Sequence, residues 1–164
     1  KQFDKLIDTY CTSDLPKREI HLVILGEGEE KERLEKQIER LQMSKFIHLL
    51  GFKNNVFCYV KNAKFLVLTS KYEGFPMVIL EAHSCGAPVV SFDAPTGPRN
   101  IIHHNKDGIL VDNNNEDEFV EILENLALNQ EKIQVLSDGA LQNSKNYELQ
   151  KVMNLWKNLI FDKS

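Results

Sequence analysis

The chain has no long hydrophobic run. Nothing in it approaches the roughly 18 consecutive apolar residues that a membrane-spanning helix needs, and no secretory signal opens it. It also has no basic excess: 20 Lys and Arg stand against 24 Asp and Glu, for a net charge of −4. That balance gives no footprint for nonspecific nucleic-acid binding, which wants a basic face. Cysteine is scarce. Cys11, Cys58 and Cys85 are odd in number and widely spaced, which excludes a disulfide framework and reads as small buried hydrophobes in a reducing compartment. His83 and Cys85 lie two apart and diverge on a helix, so they make a poor zinc pair. There is no internal repeat, low-complexity run or linker, and no initiator Met, so Lys1 is expected to open a fragment of a longer protein. What remains is ordinary for a globular domain: 164 residues, 42% hydrophobic and 27% charged. That length buries a core without disulfide or metal, and it reads as one domain.

Strand-length apolar runs alternate with helix-length segments, the pattern of a parallel α/β domain. FDKLIDTY predicts a helix with Phe3, Leu6, Ile7 and Tyr10 on one face. IHLVIL (20–25), KFIHLL (45–50), KFLVLT (64–69), APVVSF (87–92) and GILV (108–111) read as strands. Between them, helices are expected from Glu29 to Met43, from Val56 to Val60 and from Pro76 to Cys85. Three closing helices follow, from Glu116 to Leu128, Glu131 to Asn146 and Tyr147 to Phe161.

One segment gathers the features of a binding site. In EGFPMVILE, Glu73 and Glu81 flank a passage from loop into helix. Pro76 suits the first helical position, where its missing N–H would have had no partner. The amides of Met77 and Val78 then point unpaired from a helix N-terminus, which favours a phosphate or a sugar hydroxyl. By spacing alone, the two acids are equally well read as a dipole-favouring residue and a solvated helix residue. The turn Leu25-Gly26-Glu27-Gly28-Glu29 invites a dinucleotide reading and fails it. Lys31 stands where the third glycine should be, and Glu27, Glu29 and Glu30 would repel a pyrophosphate. Leu50-Gly51-Phe52-Lys53 follows the second strand at the carboxyl edge, where open α/β sheets bind ligands.

Four blocks in order, ILGEGEEKERL, FIHLLGF, TSKYEGFPMVILEA with CGAPVV, and PTGPRNIIHHNKDGILV, resemble the nucleotide-sugar-binding half of retaining GT-B glycosyltransferases. The resemblance covers essentially the whole chain. It implies a doubly wound, Rossmann-like parallel sheet, with residues 1–164 forming a C-terminal donor-binding domain. The acceptor-binding N-terminal domain would be absent, together with a first strand ending in Gly-Arg that lies mid-sheet in the family. The two neighbours of that strand are expected to close onto each other or to pair with another copy. Glu73, the residue matched to catalysis, would contact hydroxyls of the donor sugar, and Glu81 the two ribose hydroxyls. Gly26 and the main chain of Leu50, Gly51, Phe52 and Lys53 would line the nucleotide subsite. Gly74 would leave room for the sugar, and Phe75, Pro76, Met77 and Val78 would form the donor loop.

The family's diphosphate arginine would precede Lys1. Lys1 matches the family lysine but is expected to be frayed, and Lys71 and Arg99 are nearby alternatives. Asn100 stands where relatives commonly carry Glu and brings no charge. His83, His103 and His104 read as surface or helix-end residues with no carboxylate placed to orient them. The resemblance implies transfer from a nucleotide diphosphate sugar, with UDP-sugars the commonest donors, to a glycan or lipid-linked acceptor in polysaccharide biosynthesis. It implies no metal and no cofactor, and no Asp-x-Asp signature is present. The expected location is the cytoplasm, with possible association at the inner face of the membrane. Two other readings are an epimerase of GT-B fold acting on UDP-sugars and a noncatalytic flavodoxin-like module.

Overall fold

A computed structural model describes residues 1–113 and 115–161. In chain order the elements are α1 (Phe3–Thr12), β1 (Leu22–Ile24), α2 (Lys31–Arg40), β2 (Ile47–Leu49), α3 (Val56–Asn62) and β3 (Leu66–Leu68). There follow α4 (Met77–Ser84), β4 (Val89–Phe92), α5 (Pro98–Ile101), β5 (Gly108–Val111), α6 (Glu116–Leu128), α7 (Gln130–Ser144) and α8 (Leu149–Phe161). Every strand expected from an apolar run is present. The strands are shorter than the runs, although bonds such as Leu22 N–H to Phe46 O and Leu50 N–H to Ile24 O continue the ladder past their ends. The one-turn α5 was not foreseen, because PRNI is too short to carry a helical period.

All pairings are parallel, with β1 beside β2 and β3-β4-β5 in sequence order. The parallel, helix-covered arrangement is the one expected. The pairing is interrupted between β1 and β3, the two strands expected to flank a mid-sheet strand, and these two do not close onto each other. All five apolar runs are already placed elsewhere, so none is left to bridge the two. A common core joins them instead. Ile24 and Ile47 from one sheet meet Val90, Phe92, Ile109 and Val111 from the other, under Ile7 and Tyr10 of α1, Leu34 and Ile38 of α2, and Phe119 and Leu123 of α6. The Phe92 and Phe119 rings stack at 4.2 Å. On the opposite face, Leu68 and Val89 pack against Val60 of α3, Ile79 and Ala82 of α4, and Ile101 of α5. Helices thus cover both faces, as continuous apolar strands require.

Local chemistry fixes the helix starts. Asn115 accepts from the Glu118 amide at 3.1 Å while its own amide donates to the Glu118 carboxylate at 2.8 Å, and Asn129 accepts from the Lys132 amide at 2.8 Å. The acids Glu116, Asp117 and Glu118 in the first turn of α6 complement its dipole. None of the three cysteines is buried as expected: Cys58 is exposed, and Cys11 and Cys85 are half-buried. Among the described residues no helix is long and apolar enough to cross a membrane. No residue of α8 is buried, and Leu149, Met153, Trp156 and Ile160 line one side of it in the open.

Candidate functional site

Parallel strands send all their carboxyl ends to one edge, and the loops that follow them collect there. The loops after β1 and β2 are fastened together, since the Gly26 amide donates to the Gly51 carbonyl at 2.9 Å. Gly26 therefore spends its N–H on its neighbour rather than on a ligand. Beyond it Gly51 is buried, Leu50 and Lys53 are half-buried, and Phe52 stands 68% exposed.

The loop after β3 carries Glu73. Its side chain is only 16% exposed, and its Oε1 lies 2.6 Å from the Lys1 ammonium. Lys1 is thus not frayed. The Thr69 hydroxyl donates to the Lys1 and Gln2 carbonyls at 3.1 Å each, which fixes the start of the chain beside the end of β3. Burial pushes the Glu73 carboxyl up, but the Lys1 ammonium, by hydrogen bond and charge, together with the nearby Ser70 outweighs it and holds it below its ordinary 4.5. Gly74 and Phe75 are exposed beside it, with the Phe75 ring 6.3 Å from that of Tyr147.

Pro76 caps α4 and is not its first helical residue: its ψ of 90° lies outside the helix, while its carbonyl accepts the first bond, from Ile79, at 3.0 Å. No side chain caps this end. The first amides of α4, Met77 and Val78, therefore point out of the helix end as the sequence suggested. Exposed Met77, Glu81 and Ser84 recur at i, i+4 and i+7, so Glu81 lies one turn behind the helix start on its open face.

The positive charges divide differently from expectation. Arg99 makes a two-pronged ion pair with Asp93, both contacts at 2.8 Å. A cavity of about 220 Å³ beside them is lined by Asp93, Arg99, Leu110, Val111, Asp112 and Asn113. Arg99 is thus ion-paired to Asp93 as Lys1 is to Glu73, so either cation would meet a diphosphate while shared with a carboxylate. Lys71 is exposed, its ammonium 5.6 Å from the Tyr72 ring centre.

The histidines lie at the other edge of the sheet, before β5. His103 Nδ1 is 2.7 Å from Asp107, which is itself buried, so a carboxylate does orient this histidine. His83 is fully buried and not at the surface, with neither ring nitrogen hydrogen-bonded. Their distance from Glu73 across the sheet removes them from its chemistry. Two contacts at the site were not read from the sequence. The Thr96 hydroxyl donates to the Glu73 carbonyl at 2.7 Å, and Gly97 stands where a Cβ would crowd Pro76 and Glu73. The turn residues of PTGP were their only local signal.

A family model described as glycosyl transferases group 1 matches residues 1–148. The chain belongs to this family. It is 29% identical over 160 residues to the amylovoran biosynthesis glycosyltransferase AmsD of Erwinia amylovora, a match covering 98% of this chain and 44% of that protein. An uncharacterized glycosyltransferase of Haemophilus influenzae is likewise 29% identical over 160 residues, with 98% and 45% covered. The chain therefore spans less than half the length of these group 1 relatives. Among solved structures, it is similar to a Staphylococcus aureus TarM variant in complex with fondaparinux, α-GlcNAc-glycerol and UDP. The TM-score is 0.90 at 28% identity, covering 98% of this chain and 33% of that one.

Proposed function

We propose that this group 1 domain is the donor-binding part of a glycosyltransferase that moves a sugar from a UDP-sugar to a glycan or lipid-linked acceptor with retention of configuration. The observation that carries the reading is Glu73, a charged carboxylate held at low exposure beside the uncapped N-terminus of α4 at the carboxyl edge of the sheet. A carboxylate there accepts hydrogen bonds from sugar hydroxyls, while the free amides and the Lys1 ammonium suit the diphosphate. Glu81, one turn along the open face of α4, takes the ribose hydroxyls. The loops joined at Gly26 and Gly51 form the floor for the base, with Phe52 and Lys53 at its rim.

In the reaction, the acceptor hydroxyl attacks the sugar on the face from which the diphosphate departs. The developing charge on the leaving phosphate is met by the helix N-terminus and Lys1, so the step calls for no metal. The similarity to AmsD supports a role in polysaccharide biosynthesis, and the UDP held by the TarM variant supports the choice of nucleotide. We place the reaction in the cytoplasm, at or near the inner face of the membrane, with the acceptor reached through a further domain. Titration calorimetry of the chain with UDP, UDP-glucose and UDP-N-acetylglucosamine tests the reading. Saturable binding of UDP and of at least one UDP-sugar is expected, and heat from none of them overturns it.

A further inference from the structure

Residues 93–97 form a short loop between β4 and α5 that is stapled to α5 and anchored in the core. Asp93 at its start and Arg99 in α5 are joined by the two 2.8 Å contacts. Behind it Ile101 of α5 is fully buried, and its carbonyl accepts from Asn143 of α7 at 2.8 Å. At the tip, the Thr96 hydroxyl reaches the main-chain carbonyl of Glu73 at 2.7 Å.

Next to it Gly97 has φ +93°, and a Cβ there would lie 2.9 Å from Pro76 Cδ and 3.0 Å from both the Cβ and the carbonyl oxygen of Glu73. A side chain at 97 would therefore push the Glu73 loop away from the sheet edge, and it would be strained in that backbone region as well. Arg99 is thus engaged as the staple of a clamp.

We infer that Thr96 and Gly97 are positioning residues for Glu73, setting how far its carboxylate stands from the donor sugar. The inference rests on the proposed contact between Glu73 and that sugar. Thr96 holds the main chain of the acid and Gly97 leaves the room its loop occupies, so both set where the carboxylate, paired with Lys1, stands. Because neither touches Glu81 or the loops at Gly26 and Gly51, they act on recognition of the sugar and not on the nucleotide.

The test compares affinities for a UDP-sugar and for UDP by titration calorimetry, alongside thermal midpoints, in the parent, Thr96→Val, Thr96→Ser, Gly97→Ala and, as reference, Glu73→Ala. Thr96→Val should lower the ratio of UDP-sugar to UDP affinity about two- to tenfold, the effect of one lost hydrogen bond, with UDP affinity unchanged. Thr96→Ser should restore the ratio, and Gly97→Ala should lower it at least as far as Thr96→Val. A parallel loss for both ligands, or an unchanged ratio in Thr96→Val while Glu73→Ala shifts it, overturns the inference alone. A ratio unmoved by Glu73→Ala overturns the sugar contact itself, and the positioning role with it.

Discussion

At the scale of single residues, the proposed function gives the two carboxylates different tasks. Glu81 is exposed and held only by its place on α4. Glu81→Gln keeps the shape and loses charge-assisted hydrogen bonds worth roughly 1.5–3 kcal/mol, so affinity for UDP should drop about ten- to hundredfold. Calorimetry on the variant checks this, and UDP binding as tight as the parent's would remove Glu81 from the ribose. His83 makes a prediction about pH. Burial lowers its pKa from the ordinary 6.5, opposed by Asp107 and helped by His103. The unfolded chain therefore takes up the proton first, so stability is complete above about pH 6.5 and declines as pH falls through that value. His83→Met should flatten the fall in thermal midpoint between about pH 7 and pH 5. An equal slope in parent and variant would show that His83 does not supply it. The Lys1–Glu73 pair acts in a separate window. The lowered Glu73 pKa gives stability present above the ordinary 4.5 and lost as pH drops through the folded-state value.

Elements differ in how far they are tied to the core. α6 contributes Phe119, Leu123, Leu126 and Ala127, whereas α8 contributes no buried residue. Most helical stability in proteins comes from packing an amphipathic face, so α8 adds little to the folded unit. A chain ending at residue 148 keeps Tyr147 beside Phe75 and should melt within about 2 °C of the full chain, as expected for a change well under 1 kcal/mol. A drop of about 10 °C would mean that α8 packs where the structure leaves it open. Phe119→Ala should cost about 3–5 kcal/mol, because it empties the stack on Phe92 at the centre of the core. Urea denaturation measures that loss, and a shift below about 1 kcal/mol would contradict the central place given to this ring pair.

For the whole molecule, the proposed function makes the carboxyl edge of the sheet one wall of a cleft. Transfer needs an acceptor held against the donor and water excluded, which geometry between two walls supplies. The 164-residue chain is expected to bind UDP-sugar weakly and to transfer nothing to acceptor glycans, while a protein that adds an acceptor-binding domain transfers. Product analysis by mass spectrometry decides between these outcomes, and turnover by the 164 residues alone would show that this edge suffices. The division into two sheets bears on the same point. Ile24 and Ile47 share a core with Val90 and Phe92 under α1, α2 and α6, with no ladder between β1 and β3 among the described residues.

Much of this protein was legible in its residues because the signals are local. Five apolar runs separated by helical periods make five parallel strands, and α6 begins at Glu116 as its period predicts. The helix start after Pro76 was legible in the turn into α4, whereas the roles of Glu73 and Glu81 came from the family resemblance, since their spacing alone left them open. Tertiary structure alone decided the rest. Thr96 meets Glu73 across 23 positions of sequence, and Asn143 meets Ile101 across 42. The burial of His83 and the pairing of Arg99 with Asp93 likewise depend on the path of the folded backbone. Periodicity reports which face of an element is apolar. Which groups then stand within hydrogen-bond reach is fixed only when the elements pack.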